Sequence, residues 1–165
     1  MSKIIIIRGP LGIGKSTISK KLAKDLVATY FSVDEILAKN KLDVIDFEIG
    51  CIPEENFLKI NDLIIPLIQE NINKNKSVVV DGNFYHKIVL EHLISKLNQK
   101  DVFVFTLKAS KDICINRDAQ REKSYGVVAA TAVHELVSRF DYGEVILNED
   151  DDVEQKIKVI KDKLN

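Results

Sequence analysis

The sequence predicts an α/β fold built on a mostly parallel sheet. Three observations lead to this prediction. Short apolar runs, typical of strands buried on both faces, recur along the chain. Stretches with apolar residues at helical spacing separate these runs. Charged residues stand at the ends of several runs, which is where a parallel sheet binds its ligands.

Length and composition are those of one globular domain. The 165 residues are enough for a proper core, and we expect a single domain over 1–165. The net charge of −1 argues against nucleic acid and anionic membranes as partners. No apolar run could span a bilayer, the N-terminus leads directly into a strand, and Cys51 and Cys114 lack metal-ligand or redox spacing. We therefore expect a cytoplasmic protein with reduced cysteines.

The first strand–helix unit carries the most specific motif of the chain. Four consecutive isoleucines predict a buried strand over 3–8, and apolar residues at helical spacing predict a helix over 15–26. Between them, the segment Gly9-Pro10-Leu11-Gly12-Ile13-Gly14-Lys15-Ser16-Thr17 satisfies G-x-x-x-x-G-K-[ST], the phosphate-binding P-loop. Because a strand precedes the motif and a helix follows it, an unrelated glycine-rich turn is the minor alternative.

This motif indicates a site for a nucleoside triphosphate with Mg²⁺. Backbone N–H groups of the turn and of the helix N-terminus point at a polyphosphate, and Lys15 reaches its β- and γ-phosphates. The hydroxyl of Ser16 is the expected Mg²⁺ ligand. The predicted nucleotide-binding residues are Gly9, Gly12, Ile13, Gly14, Lys15, Ser16 and Thr17.

The next part of the chain predicts a second strand and a long helix. Residues 27–33 are rich in β-forming side chains, and this strand ends at Asp34 before a short helix over 35–39. Residues 40–52 show no clear periodicity and are expected to be irregular or partly helical. Pro53 then opens a long helix. Its buried stripe consists of Phe57, Ile60, Ile64, Ile68 and Ile72.

The remaining residues alternate in the same way. Strands are expected over 78–82, 102–107 and 145–147, and helices over 86–97, 111–122, 129–140 and 151–163. Such alternation predicts βαβ units, in which the carboxyl ends of the strands meet at one edge. Arg8, Asp34 and Asp81 follow or end strands and are therefore expected to converge with the P-loop on one crevice.

Two aspartates are candidates for chemistry beside the P-loop. Asp81 closes an apolar strand, as the Mg²⁺-binding Walker B carboxylate does, although Asp81-Gly82 is also a common turn pair. Asp34 either caps the helix that begins at Glu35 or reaches a phosphoryl acceptor as a general base. On the residues alone, both interpretations of Asp34 stay open.

Arginine is scarce, since only four of the 24 lysines and arginines are arginine. Two of these, Arg117 and Arg121, are spaced to share one face of a helix and lead into the polar break at 124–126. This arrangement suggests a mobile lid over about 117–128 that lays guanidinium groups over the transferring phosphate. The alternative is a solvated surface pair matched by neighbouring acids.

Four segments together resemble the small P-loop kinases of the nucleoside-monophosphate-kinase superfamily. They are residues 9–17, 32–35, 79–83 and 114–121. The resemblance is to the branch that contains polynucleotide kinase 5′-kinase domains, adenylylsulfate kinases and chloramphenicol phosphotransferases. It implies a P-loop NTPase fold, with a five-stranded parallel sheet flanked by helices on both faces. It also implies ATP as the donor, Arg117 and Arg121 on a lid, and Asp34 as the acceptor-side base.

The sequence departs from two branches of that superfamily. Relatives of adenylate kinase carry phenylalanine, proline and arginine after the Asp-Gly pair, whereas Asn83-Phe84-Tyr85 stands here. Shikimate kinases carry a glycine triplet at that strand end, and it is missing. The resemblance places the acceptor site at about 35–60 without identifying the acceptor.

The sequence therefore predicts a cytoplasmic kinase that moves the γ-phosphate of ATP–Mg²⁺ to a hydroxyl of a small-molecule acceptor. Lys15 and Mg²⁺ neutralise the phosphates, Asp34 takes the proton of the hydroxyl, and Arg117 and Arg121 close over the transition state. Ser16 and Asp81 are the predicted metal ligands. An ATP-hydrolysing or nucleotide-sensing module without an acceptor is the second hypothesis, and a nucleic-acid 5′-kinase is the third.

Overall fold

The computed structural model describes residues 1–97 and 101–164, so the last residue of the predicted domain lies outside the described part. Within it, the predicted α/β fold is confirmed. Five parallel strands form one sheet in the order β2-β3-β1-β4-β5. The strands are β1 (Ile4–Arg8), β2 (Thr29–Ser32), β3 (Val78–Gly82), β4 (Val102–Lys108) and β5 (Glu144–Leu147).

Seven helices of the described residues connect and cover the strands. They are α1 (Lys15–Asp25), α2 (Val33–Lys39), α3 (Glu54–Asn73), α4 (Lys87–Leu97), α5 (Lys111–Ala119), α6 (Val127–Val137) and α7 (Val153–Lys163). None of these helices is both long enough and apolar enough to cross a membrane.

Strand β1 lies at the centre of the sheet because its isoleucines are buried on both faces. Ile4 and Ile6 pack into one hydrophobic core, together with residues of α3 and α4. Ile5 and Ile7 pack into a second core, together with residues of α1 and α7. A strand that is apolar at every position can only sit between two helical layers. This placement brings the P-loop, which follows β1, to the middle of the carboxyl edge of the sheet.

The boundary between β2 and α2 differs from the prediction. The strand ends at Ser32, and α2 begins at Val33, so Asp34 lies in the first turn of the helix and does not end the strand. Ser32 is the N-cap, because its hydroxyl accepts a hydrogen bond of 3.3 Å from the N–H of Glu35. The cap predicted as one alternative for Asp34 is therefore supplied by another residue.

The segment between α5 and α6 is longer than predicted. Helix α5 ends at Ala119, and α6 begins at Val127 after Gly126, which has a φ of +87°. Arg117 consequently lies in the last turn of α5, whereas Arg121 lies beyond its end. The spacing predicts that the two arginines share one helix face. This prediction is wrong, because the helix ends between them.

Candidate active site

The P-loop joins β1 to α1 and lines a cleft of about 310 Å³. Gly14 has a φ of +92° and is the N-cap of α1. Gly12 has a φ of +74°, and a Cβ at this position would collide with the carbonyl oxygen of Cys114 in α5. Only glycine combines this backbone conformation with this close approach. The result is a helix N-terminus that opens onto the cleft, as anion binding requires.

Most of the predicted nucleotide-binding residues line this cleft. They are Gly12, Ile13, Gly14, Lys15, Ser16 and Thr17. Gly9 does not line it and instead packs behind the loop, where a Cβ would lie 3.2 Å from the carbonyl oxygen of Leu107. The opposite wall of the cleft consists of Arg117 and Arg121 and of residues that follow β5.

Lys15 lies in this cleft, on the side where Asp34 approaches it. Its side chain is 7% exposed, and its Nζ donates a hydrogen bond of 3.2 Å to the carbonyl oxygen of Pro10. The same Nζ lies 3.8 Å from Oδ2 of Asp34. The predicted approach of Asp34 to the P-loop is thus present in the structure, although Asp34 comes from a helix and not from a strand end.

The environment of Asp34 acts on its acidity in two directions. Burial raises the pKa of this carboxyl above its usual range, and the nearby Asp81 adds to this effect. Lys15, a hydrogen bond from the backbone of Asn83, and Arg121 oppose it. Of these influences on the pKa of Asp34, burial is the largest. A raised pKa brings a carboxylate closer to the basicity that a general base needs near neutral pH.

Asp81 is fully buried at the end of β3, beside β2. Its Oδ2 accepts a hydrogen bond of 2.8 Å from the phenol of Tyr30, whereas its buried Oδ1 has no hydrogen-bond partner among the described residues. Burial raises the pKa of this carboxyl, and Lys15 and Tyr30 act in the opposite direction. A free carboxylate oxygen beside a phosphate-binding loop fits the outer shell of a Mg²⁺ ion.

The same environment includes Ser16, whose hydroxyl is near enough to Tyr30 to affect the pKa of that phenol. Tyr30 therefore connects the two residues that were predicted as metal ligands. Residues 1–97 and 101–164 contain no cluster of three or more His, Cys, Asp or Glu side chains that could hold a metal without help.

Arg117 binds the loop that follows β5. Its Nη1 donates to the carbonyl oxygen of Asn148 at 2.6 Å, and its Nη2 donates to that of Asp150 at 2.9 Å. Its guanidinium also lies 3.4 Å from the exposed carboxylate of Asp151. The guanidinium thus holds a wall of the nucleotide cleft in place, and the catalytic role predicted for Arg117 stays a prediction.

Arg121 makes weaker contacts than Arg117. Its Nη1 is 3.7 Å from Oδ1 of the buried Asp118, and its guanidinium lies 5.7 Å from the ring centroid of Tyr125. It lines the nucleotide cleft and is near enough to Asp34 to lower the pKa of that carboxyl. Its side chain is 45% exposed, so it can reorient towards a bound phosphate. The lid role of Arg121 also stays a prediction.

Asp118 organises the turn that follows Arg121. Its Oδ2 accepts hydrogen bonds from the hydroxyl of Ser124 at 2.8 Å and from the backbone N–H groups of Tyr125 and Gly126 at 3.0 and 3.1 Å. A single buried carboxylate therefore fixes the backbone of the predicted lid segment.

Arg8 does not join the crevice, in contrast to the expectation that it would converge with the P-loop. It is fully buried, and its guanidinium donates to the carbonyl oxygens of Val137, Phe140 and Phe84 and to the hydroxyl of Thr106. Burial lowers its pKa to about 10, so it stays protonated at neutral pH. The reason is geometric: β1 is central, and its last side chain points into the layer beneath α6.

A second cavity of about 170 Å³ lies on the other side of Asp34. Residues from α2, from the irregular segment 43–52, from the segment after β3 and from α6 line it. This agrees only in part with the expected acceptor region at about 35–60, because α6 contributes a full wall. Asp34 is the charged residue that lies between this cavity and Lys15 of the nucleotide cleft.

Sequence reasoning missed three residues of this region: Tyr30, Asp118 and Asn148. Asn148 is buried and donates a hydrogen bond of 2.6 Å to the carbonyl oxygen of Ile13 in the P-loop. A polar residue directly after the last strand is the same signal that identified Asp81, so it could have been found. Tyr30 gave no signal, because tyrosine is an ordinary strand former.

These features define a P-loop nucleotide-binding domain with a second cavity beside the phosphate site. A family model described as an AAA domain matches residues 4–142, and the chain belongs to this family. The prediction of a small P-loop kinase of the nucleoside-monophosphate-kinase-like superfamily is thereby confirmed.

One curated relative is a shikimate kinase from Thermodesulfovibrio yellowstonii, which is 30% identical over 115 residues. The match covers 70% of this chain and 63% of the relative, so the chain spans about 63% of the length of that protein.

Two solved structures share the fold over almost the whole chain. A gluconokinase from Sinorhizobium meliloti 1021 has a TM-score of 0.68 and 13% identity, and the match covers 98% of this chain and 91% of that one. A shikimate kinase from Acinetobacter baumannii in complex with shikimate has a TM-score of 0.65 and 15% identity, with 99% and 93% covered. At such low identity these similarities establish the fold alone.

Proposed function

We propose that this protein is a phosphotransferase that moves the γ-phosphoryl group of ATP–Mg²⁺ to a hydroxyl of a small-molecule acceptor. The nucleotide occupies the P-loop cleft, and the acceptor occupies the second cavity. The observation that carries the proposal is the distance of 3.8 Å between Lys15 Nζ and Asp34 Oδ2. At this distance, the ammonium of Lys15 in the nucleotide cleft lies next to the carboxylate of Asp34, which lines the second cavity.

The nucleotide side of the reaction is electrostatic. The P-loop N–H groups and Lys15 hold the β- and γ-phosphates and offset the negative charge that moves onto the leaving ADP. Ser16 and Asp81, the latter through its unpartnered Oδ1, are the residues that would hold Mg²⁺. When bound, this ion would offset the negative charge of the β- and γ-phosphates.

On the acceptor side, Asp34 orients the hydroxyl and takes its proton. The bond between the γ-phosphorus and the bridging oxygen of ADP breaks while the acceptor oxygen bonds to the same phosphorus. The acceptor proton moves to the Asp34 carboxylate and then leaves to solvent, so the products are ADP and a phosphorylated alcohol. Arg121, which lines the nucleotide cleft near Asp34, approaches the transferring phosphoryl group.

The test is Asp34→Asn, measured with ATP–Mg²⁺ and a panel of sugars, polyols, nucleosides and oligonucleotide 5′-ends. We expect ADP release to rise with a suitable acceptor in the wild type, and the transfer rate to fall by on the order of a hundredfold in Asp34→Asn. Stability should change little, because Ser32 and not Asp34 caps α2. ATP affinity should also change little.

The matched control is Glu35→Gln, which removes the neighbouring carboxylate in the same turn. Glu35 is exposed and pairs with Lys20 on the surface, so its loss should leave transfer unchanged. Normal transfer by folded Asp34→Asn would refute the role of this residue. ATP turnover that no acceptor increases would instead favour the nucleotide-sensing alternative.

A further inference from the structure

The second cavity is lined mainly by aliphatic side chains. Leu37 of α2, Ile45 and Ile52 of the irregular segment, and Val133 and Leu136 of α6 all contribute to its wall. Ile45 is 48% exposed although it faces a cavity, so a bound molecule would cover apolar surface that water now contacts. A ligand with an apolar body is therefore favoured.

The polar groups of the wall include both acceptors and neutral donors, since the phenols of Tyr85 and Tyr125 and the amide of Asn83 can donate as well as accept. Asn83 is 7% exposed, and its Oδ1 has no hydrogen-bond partner among the described residues. The carboxylates of Asp34 and Asp43 also face this space, the first of them beside the reaction centre. The phenol of Tyr85 already accepts a hydrogen bond of 3.1 Å from the N–H of Ile52. A buried, unpartnered acceptor such as Asn83 Oδ1 is best satisfied by an O–H or N–H group of a ligand.

Cations are missing from this wall. Among the residues that the structure describes, no lysine or arginine lines the cavity. Lys15 and Arg121 line the nucleotide cleft instead, and Lys15 is already paired with Asp34. Arg139 is near enough to Cys51 to lower the pKa of that thiol, but it is exposed and does not belong to the lining. A ligand carboxylate or phosphate would therefore be buried without a counter-charge and beside two aspartates, which is costly.

We propose that the acceptor is a hydroxyl compound with an apolar body and no anionic group, and that the cavity rejects carboxylates and phosphates. The proposal rests on the proposed function in that it places the acceptor in this cavity. It separates this chain from its relatives that are named as shikimate kinases and a gluconokinase, because shikimate and gluconate are carboxylates. The 30% identity to one of them therefore does not extend to its substrate.

The first experiment compares compounds that differ only in charge. Shikimate is compared with its methyl ester, and 4-(hydroxymethyl)benzoate is compared with 4-(hydroxymethyl)benzamide and with 4-(hydroxymethyl)benzylamine. Binding to the whole protein is measured by calorimetry with a non-hydrolysable ATP analogue present, and phosphoryl transfer is measured separately with ATP–Mg²⁺. We expect the uncharged member of each set to bind at least about tenfold more tightly than the carboxylate.

The second experiment supplies the missing charge. Ala132 lines the cavity from α6 and is only partly buried, so Ala132→Arg can carry a guanidinium into the cavity without crowding the core. Val128 lies on the same helix, is 84% exposed and does not line the cavity, so Val128→Arg is the control of equal charge. We expect Ala132→Arg to improve carboxylate binding by about tenfold and Val128→Arg to leave it unchanged. Thermal unfolding and ATP affinity verify that both variants fold.

The results separate this inference from the proposed function. The inference is overturned if the wild type binds the carboxylate as tightly as its uncharged counterpart, or if no uncharged member binds. If uncharged compounds bind preferentially but none is phosphorylated, the ligand class stands and the phosphotransferase proposal fails. If carboxylates are phosphorylated as well as their uncharged counterparts, the phosphotransferase stands and the inference fails.

Discussion

The nucleotide cleft and the second cavity differ in how the chain builds them. The floor of the cleft comes from one continuous stretch, residues 12–17, whose backbone conformation is set by glycines with positive φ. The wall of the cavity comes from segments as distant as Leu11 and Leu136. The cleft contains Lys15, Arg117 and Arg121 besides Asp150 and Asp151. The cavity contains aspartates and aliphatic side chains, and among the described residues no lysine or arginine lines it.

Under the proposed function, this difference separates the cations that face the phosphates from the site of the acceptor. A transferring phosphoryl group needs several cations, and the protein concentrates them on the nucleotide side of Asp34. The acceptor side only has to hold a hydroxyl in line with the phosphorus and exclude water. Substitutions on the two sides should therefore change different kinetic constants, and the following predictions are arranged by the size of the expected effect.

Lys15→Ala should have the largest effect. We expect phosphoryl transfer to fall by on the order of a thousandfold, because the β- and γ-phosphates lose the charge buried next to them. The melting temperature should change little, since the Lys15 ammonium makes one hydrogen bond and one long ion pair. Lys20→Ala, on the exposed face of the same helix, is the control. If folded Lys15→Ala turns over at the wild-type rate, the cleft is not the site of phosphoryl transfer.

Arg8→Met should damage the cavity side and the stability of the fold. The guanidinium of Arg8 holds carbonyl groups at the end of α6 and at Phe84, next to walls of the cavity. We expect the free energy of unfolding to fall by about 3 kcal/mol, because these buried carbonyls lose their donors. At a temperature where the variant is folded, acceptor KM should rise more than the KM for ATP.

The control for Arg8→Met is Arg139→Met, which removes an arginine from the surface. It should leave the free energy of unfolding almost unchanged. Equal destabilisation by the two substitutions would mean that the buried hydrogen bonds of Arg8 do not contribute to the free energy of unfolding.

Arg121→Gln and Arg117→Gln should differ, although both residues line the cleft. Within the described residues, the guanidinium of Arg121 makes only a long ion contact with Asp118, so we expect kcat to fall by about a hundredfold with little change in ATP affinity. Arg117 holds the loop at Asn148 and Asp150, so its loss should chiefly weaken ATP binding. Steady-state kinetics with separate titration of ATP binding distinguish these outcomes. Identical kinetic profiles would refute this division of roles.

Tyr30→Phe should have the smallest effect of the four. It removes the hydrogen bond to Asp81 Oδ2 and leaves the ring in the core. We expect the apparent affinity for Mg²⁺ in the ATPase or transfer assay to weaken by about tenfold, because this phenol orients the carboxylate that would face the ion. Tyr142→Phe is the control, since among the described residues the hydrogen bonds of Tyr142 are made by its backbone and not by its phenol. An unchanged Mg²⁺ dependence in Tyr30→Phe would contradict a role of Asp81 in Mg²⁺ binding.

The architecture and the P-loop could both be predicted from local sequence pattern. The unbroken run of isoleucines requires a strand covered on both faces. In the P-loop, residues 9–17, the glycines permit the backbone conformation that the loop needs. Such local information does not depend on the rest of the chain. The position of Asp81 also followed from local pattern, because the end of an apolar strand in a parallel sheet is fixed by topology.

The contacts of the other side chains depend on long-range packing and could not be predicted from local pattern. The spacing of Arg117 and Arg121 indicated one shared face, but α5 ends between them, and Asp118 holds the turn beyond. The side chain of Arg8 lies under α6 and not in the crevice, a direction that periodicity does not encode. The charge of the second cavity depends on residues more than a hundred positions apart in the chain. Long-range packing brings these residues together, and for that reason the sequence predicted phosphoryl transfer but not its acceptor.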